Sequence, residues 1–184
     1  PRDLSSATFE RVIELIRSRP FGTVYLIGRG EPLLHPAALE LLEELRSATG
    51  VALEIFTNGA ALVPAVVDRL EAIASAGAPQ AGKVSLHSLR PETHRALTGL
   101  ELEPVAVNLR DLTARAPHLR VSCAFVTSKP NEAEMVALRR HLGRAGNRAW
   151  DVSLGYNKGG FIDDPDLFDP AFYARQLRGL VPAA

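Results

Sequence analysis

The sequence predicts an α/β fold built on a parallel sheet. Short apolar runs rich in β-branched residues alternate with segments whose apolar residues recur at helical spacing. Helices between successive strands require crossover connections, so the strands must run parallel. The chain has 184 residues, of which 46% are hydrophobic and 23% charged, so we expect one domain with one core. An open sheet and a closed barrel both satisfy these observations.

Five strands are predicted, and each follows at least one helix. The first helix has Ser5 and Ser6 as candidate N-caps and carries Phe9, Ile13 and Ile16 on one face. The predicted strands are residues 23–27, 51–56, 83–87, 120–126 and 149–154. After the first helix, the predicted helices are residues 36–48, 64–76, a short one from 91, 104–116, 131–144 and, near the end of the chain, 172–180.

A loop with two glycines and a proline joins the first strand to the next helix. It contains Glu31, between Gly30 and Pro32. Ligands bind at the carboxyl ends of parallel strands, where glycines let the backbone approach them closely. An ordinary tight turn is the alternative. The loop lacks the lysine or the later glycine of the standard phosphate-binding fingerprints.

This loop and the segments after it resemble the radical S-adenosylmethionine (SAM) superfamily. The matching motifs are Gly-x-Gly-Glu-Pro-Leu-Leu-His-Pro at residues 28–36, Thr-Asn-Gly at 57–59, Lys-Val-Ser-Leu-His-Ser-Leu at 83–89 and Pro-Glu-Thr-His at 91–94. The resemblance covers roughly residues 4–156. It implies strands 2 to 6 of a partial (β/α)6 TIM-like barrel. It also implies reductive cleavage of SAM at a [4Fe-4S] cluster, after which a 5′-deoxyadenosyl radical abstracts a substrate hydrogen.

One departure from the family is large, because the Cys-x-x-x-Cys-x-x-Cys motif that holds the cluster is absent. The only cysteine, Cys123, lies in an apolar run and is expected to be a small core hydrophobe. A cluster needs about four ligands, so its ligands are expected outside this chain. We therefore expect residues 1–160 to be a radical SAM core without strand 1 and the cluster loop. Residues 161–184 would be a C-terminal extension or linker.

The resemblance also implies which residues bind the cofactor. Gly30, Glu31 and Pro32 would meet the methionine amino group of SAM. Because Glu31 is then a loop carboxylate that serves a ligand, we expect Glu31→Ala to change stability little. Asn58, after the next strand, is either a ligand contact or the start of an Asx turn.

Three further residues belong to the implied site. Ser85 and His87 alternate along one strand and so share a face, where polar groups in an apolar barrel interior would need partners. They would meet the SAM carboxylate or ribose hydroxyls, although His87 is equally a candidate core histidine. Ser122 would contact the ribose or satisfy a neighbouring backbone group.

Tyr156 follows the last strand, whose backbone lies near the adenine in this family. Residues 157–160, Asn-Lys-Gly-Gly, resemble the Asn-Arg-Gly-Gly of the SPASM or twitch subfamilies, with Lys158 in place of arginine. These subfamilies carry auxiliary clusters in a further C-terminal domain. A plain glycine-rich loop is the alternative.

Composition excludes several function classes. The 21 basic residues balance the 21 acidic ones, so no nucleic-acid footprint is expected. No apolar run approaches the roughly 20 residues that span a bilayer, and no signal peptide is evident, so we expect a cytoplasmic protein. The histidines are scattered, and we predict no metal site within the chain. The implied partners are a small-molecule or peptide substrate and an electron donor such as flavodoxin or ferredoxin.

Two other interpretations remain at this point. In the first, the chain is a degenerate barrel that lost its cluster and serves as a binding or scaffold subunit. In the second, it is an unrelated α/β enzyme with a phosphate or nucleotide ligand at the strand ends.

Overall fold

A computed structural model of the chain contains one parallel sheet of five strands in the order β1-β2-β3-β4-β5. It describes residues 4–28, 30–77, 80–127, 129–134, 137 and 149–154. Each strand pairs with its neighbour in the sequence, and all four pairings are parallel. Helices connect these parallel strands, so the predicted α/β class with a parallel sheet is confirmed. Right-handed crossovers between sequential neighbours place the helices on one face of the sheet.

The element bounds agree with most of the sequence prediction. The strands are β1 Thr23–Leu26, β2 Ala52–Thr57, β3 Gln80–Ser85, β4 Arg120–Thr127 and β5 Ala149–Leu154. The helices are α1 Ser6–Ser18, α2 Ala38–Thr49, α3 Pro64–Ser75, α4 Pro91–Thr98 and α5 Leu102–Arg115. Two 3₁₀ turns, Pro32–Leu34 and Lys129–Glu134, follow β1 and β4. No helix in these described ranges is both long and apolar enough to cross a membrane.

Local chemistry accounts for the helix ends. The Ser5 hydroxyl accepts the main-chain N–H of Thr8 at 3.3 Å and so caps α1, as predicted. Helices α3 and α4 begin with Pro64 and Pro91, whose missing N–H would have no intrahelical partner in the first turn. Helix α2 ends at Gly50, whose φ of 65° suits a residue without a side chain.

The two faces of the sheet differ in chemistry. The face packed against the helices carries side chains that are almost fully buried, such as Leu53, Val84 and Phe125. The opposite face carries Glu54 and Lys83, which are only partly buried and form an ion pair at 3.2 Å. This face is of mixed polarity, because the rings of Tyr25 and Phe56 also lie on it, with their centroids 6.2 Å apart.

Two predicted boundaries are corrected. Strand β3 begins at Gln80 and ends at Ser85, so His87 lies just after it rather than in it. Its first residues, Gln-Ala-Gly, have weak strand propensity, but they are recruited by pairing with residues 53–55 of β2. Where a helix was predicted from Asn131, a 3₁₀ turn runs from Lys129 to Glu134. Residue 137 is helical, and the rest of that predicted helix and residues 155–184 lie outside the described residues.

Candidate functional site

Glu31 joins the loops that follow two neighbouring strands. It is the N-cap of the turn Pro32–Leu34, and its Oε1 accepts the main-chain N–H of Leu33 at 3.2 Å. Its Oε2 accepts the main-chain N–H of Asn58 at 2.6 Å. Since a carboxylate has about four lone-pair sites, Glu31 can accept these two bonds and still receive others.

The segment after β2 forms a tight turn. The Asn58 Oδ1 accepts the N–H of Ala60 at 2.9 Å, which is the Asx turn considered for this residue. Gly59 adopts a φ of 82°, and a Cβ there would lie 3.0 Å from a methyl of Val105. Gly59 is therefore required by the fold itself.

Gly30 differs from Gly59, because nothing in the described chain requires a glycine there. Its φ is not positive, and a Cβ would meet no atom within 4 Å. The residue is also exposed. Room is therefore left beside its backbone at the carboxyl edge of the sheet.

Beyond β3, the His87 ring bonds to the neighbouring strand. Its Nδ1 accepts the main-chain N–H of Val126 at 3.1 Å. Burial lowers the pKa of His87 to about 4, with a smaller contribution from nearby His94. The ring is therefore neutral at physiological pH. Ser85 lies two residues earlier on the same face and is partly buried.

Sequence reasoning missed Glu134, which fixes the segment after His87. Its carboxylate is 7% exposed and accepts hydrogen bonds from the Ser88 hydroxyl, the Leu89 N–H at 2.7 Å and the Arg90 Nε at 2.8 Å. Burial by itself would raise the pKa of Glu134, but these hydrogen bonds lower it. The available signal was a polar Asn131 and Glu134, three residues apart, directly after a buried strand.

The open face of the sheet, which the helices do not cover, ends at the loops that follow the strands. The Lys83 ammonium lies 3.2 Å from Glu54 and 4.9 Å from the centroid of the Phe56 ring. Ser122 is the register partner of Lys83 on β4, and Ser85 pairs with Ala124. Charged and hydroxyl groups therefore line the face that the helices leave uncovered.

The structure thus places most of the predicted site residues at one end or on one face of the sheet. Glu31 and Asn58 are hydrogen-bonded to each other. Ser85 and Ser122 lie on the open face, and His87 sits at the β3 end. Tyr156 lies outside the described residues.

These groups do not form a metal or cluster site. No group of three or more His, Cys, Asp and Glu side chains in the described part of the chain is placed to hold a metal ion. Cys123 is fully buried, and burial raises the pKa of its thiol to about 12. The thiolate that a [4Fe-4S] cluster requires is therefore not offered by this residue, and the described residues do not fit the cluster.

Surface shape alone would place the site at the other end of the sheet. Two depressions lie toward the opposite end of the sheet, one between residues 16–22 and 49–52 and the other beside the ends of α2 and α3. Both are shallow and open. We place the site by its chemistry, because the carboxyl ends of parallel strands carry the interstrand polar contacts and the open glycine backbone.

No protein-family model matches the sequence, and no curated protein is significantly similar to it.

Solved structures are similar to the chain in fold. SuiB of Streptococcus suis, solved with S-adenosylmethionine, superposes with a TM-score of 0.79 at 16% identity; the match covers 97% of this chain and 40% of SuiB. The enzyme anSMEcpe, solved with S-adenosylmethionine and a peptide, gives a TM-score of 0.69 at 14% identity, covering 96% of this chain and 50% of that one. A domain of the pyruvate-formate lyase-activating enzyme of Bacteroides vulgatus gives a TM-score of 0.62 at 15% identity, and the match covers 86% of this chain and 92% of that domain.

The chain therefore spans less than half the length of SuiB. These neighbours are radical SAM enzymes, and at such low identity the likeness concerns the backbone. Together with the parallel order of the five strands, it shows that this chain has the fold of the partial TIM-like barrel of the radical SAM superfamily.

Proposed function

We propose that this chain is the SAM-binding core of a radical SAM enzyme. The observation that carries the proposal is the Glu31–Asn58 hydrogen bond, which joins two of the family's motifs at the carboxyl edge of the sheet. Both SuiB and anSMEcpe, whose folds resemble this one, were solved with SAM bound. The open backbone at Gly30 supports a close approach of ligand, since nothing in the described part of the chain requires a glycine there.

The proposed roles follow from the hydrogen-bonding capacity of each group. Glu31, with Gly30 and Pro32, receives the methionine ammonium, because a carboxylate and backbone acceptors suit a positive donor. Asn58 shapes the wall beside it through its turn. Ser85, His87 and Ser122 supply uncharged polar groups for the carboxylate or ribose hydroxyls. Tyr156 is proposed near the adenine.

The reaction we propose is reductive cleavage of SAM followed by hydrogen abstraction from a substrate. In such enzymes a [4Fe-4S] cluster supplies the electron. The described residues do not fit a cluster, so the proposal assigns its ligands to residues outside these 184. What the chain's own residues do is bind SAM, orient it and exclude water from the strand ends.

Substrate and partners are proposed at the level of class. SuiB was solved with a precursor peptide and anSMEcpe with a peptide, which supports a peptide or small-molecule substrate here. An electron donor such as flavodoxin or ferredoxin, a cytoplasmic setting and auxiliary clusters of the SPASM type remain proposals. The balanced charge of the chain favours no nucleic-acid partner.

A second candidate function is a cluster-free barrel that serves as a binding or scaffold subunit. The observation that favours it is the burial of the only cysteine, with its raised pKa. Both candidates can bind SAM, but only the first requires iron.

The test has two arms. Isothermal titration of the chain with SAM should give saturable binding of one molecule, which Glu31→Ala weakens and the exposed matched control Glu44→Ala does not. Absence of SAM binding, or tighter binding of ATP, would overturn the proposal. Anaerobic preparation of the chain together with the cluster ligands that the proposal assigns to other residues, with iron and 5′-deoxyadenosine measured, then separates the enzyme from the scaffold. SAM binding without iron or 5′-deoxyadenosine selects the scaffold.

A further inference from the structure

The turn after β2 keeps its shape through hydrogen bonds of its own. The Thr57 hydroxyl accepts the main-chain N–H of Gly59 at 3.0 Å. The Asn58 Oδ1 accepts the main-chain N–H of Ala60 at 2.9 Å. Both partners of each bond lie within residues 57–60, so these bonds fix the shape of the turn and not its position relative to other elements.

Asn108 of helix α5 holds this turn from outside. Its Nδ2 donates to the main-chain carbonyl of Gly59 at 2.9 Å and to that of Ala60 at 3.3 Å. Val105, three residues earlier on the same helix, also lies against the turn, since a Cβ at Gly59 would be 3.0 Å from one of its methyl groups. Residues three apart share a helix face, so one face of α5 contacts the turn through an amide and a methyl group.

One peptide group connects Asn108 to the proposed SAM site. The group between Gly59 and Ala60 is planar, so its carbonyl and its N–H move together. The carbonyl accepts from Asn108, and the N–H donates to the Asn58 side chain. The main-chain N–H of Asn58 in turn donates to the Glu31 Oε2 at 2.6 Å. A movement at Asn108 would therefore reach the Glu31 carboxylate through Asn58.

We propose that Asn108 is a positioning residue of the SAM site. It fixes the turn after β2 and, through the Asn58 N–H, fixes the Glu31 carboxylate that receives the methionine ammonium. The inference rests on the proposed function. A hydrogen bond between charged groups depends on distance and angle, so a carboxylate that is free to turn holds the ammonium less tightly. Asn108 acts from α5 and is assigned no contact with SAM.

The first experiment uses the chain without ligand. Both Nδ2 protons of Asn108 are bonded to carbonyls, so ¹H–¹⁵N spectra should show two separate signals with nuclear Overhauser contacts to Ala60. The Asn58 main-chain proton, bonded to a carboxylate, should lie downfield and move upfield in Asn108→Ala. An Asn108 amide without these contacts would overturn the inference. So would an Asn58 signal that Asn108→Ala leaves in place.

The second experiment measures SAM affinity by titration calorimetry. We expect Asn108→Ala to weaken binding about fivefold, because the turn loses its two bonds to α5. Asn108→Leu keeps most of the side-chain volume without an N–H and should lose as much; wild-type affinity in this variant would overturn the inference. The control is Thr113→Ala on the same helix, whose hydroxyl donates to the Arg110 carbonyl, and it should bind SAM as the wild type does.

A double-mutant cycle with Glu31→Ala tests the route of the effect. If Asn108 acts through Glu31, then Asn108→Ala should weaken SAM binding by no more than about twofold in a chain that already carries Glu31→Ala. The same fivefold loss in both backgrounds would mean that Asn108 supports the fold as a whole, and it would overturn the assignment of a positioning role.

The outcomes separate the two proposals. If the wild-type chain fails to bind SAM, the proposed function fails, and this inference fails with it. If the wild type binds SAM and Asn108→Ala binds it equally well, only this inference fails. Should Asn108→Ala not fold, Asn108→Leu takes its place in the cycle, and the wild-type spectra need no variant.

Discussion

The Glu31 carboxylate accepts the main-chain N–H of Asn58 at 2.6 Å across a separation of 27 residues. The bond is charge-assisted and joins the loop after β1 to the loop after β2. Glu31 also caps a 3₁₀ turn through Leu33. A residue proposed to bind the cofactor therefore also holds two site loops together.

This relationship changes what substitution of Glu31 should do to the fold. We expect Glu31→Ala to lower the free energy of unfolding by about 1–3 kcal/mol, because two main-chain donors lose their acceptor. The sequence-based expectation of little change did not include these bonds. Glu31→Gln should lose less, since it keeps one acceptor oxygen. Urea unfolding curves provide the measurement, with Glu44→Ala as the control. A Glu31→Ala curve that matches wild type would show that the bonds contribute nothing.

Cys123 should be chemically silent in the folded chain. Burial raises the pKa of its thiol from 9.0 to about 12, which means on the order of a thousandfold less thiolate at a given pH. Labelling with a disulfide reagent at pH 8 should be slow in buffer and complete within minutes in denaturant. As the chain has no second cysteine, the signal belongs to Cys123 alone. Fast labelling of the native protein would contradict its burial.

Acid should destabilise the chain through His87. The folded pKa is about 4 against 6.5 for an ordinary histidine, so between these values the unfolded chain binds more protons. Stability is therefore highest above pH 6.5 and falls as the pH drops toward 4, by about 3 kcal/mol at most from this residue. Urea unfolding at pH 7.5, 6 and 5 measures the slope. His87→Gln should flatten it, and an unchanged slope in that variant would exclude His87 as its source.

Replacing His94 should not harm the fold. The residue is fully buried, and neither ring nitrogen has a hydrogen-bond partner among the residues that the structure describes. Burial of an unpaired polar group costs about 1–3 kcal/mol, so His94→Leu should be neutral or stabilising by about 1 kcal/mol. His94→Ala is the matched comparison and should be less stable than His94→Leu because it leaves a cavity. Thermal melts provide the measurement. A large drop in the melting temperature of His94→Leu would mean that the ring has a hydrogen-bond partner in solution.

The success of sequence-based prediction varied with the range of the interactions involved. Strand β2 was predicted within one residue at each end, because buried and half-buried residues alternate along it. The start of β3 was missed, since Gln80 is placed by its register with Leu53 rather than by its own propensity. Glu134 and Asn131 were missed because their partners lie about 45 residues earlier in the chain. Spacing along a sequence does not encode such contacts.

The sequential strand order makes the sheet a nearest-neighbour assembly. Among the described strands, each bonds only to the strands before and after it in the chain, so no pairing between them requires closure of a loop longer than one crossover. Disturbance of one strand is then felt chiefly by the two beside it, as in a repeat protein. Opening should spread inward from the outer strands β1 and β5, and amide protons of β3 should exchange with solvent most slowly.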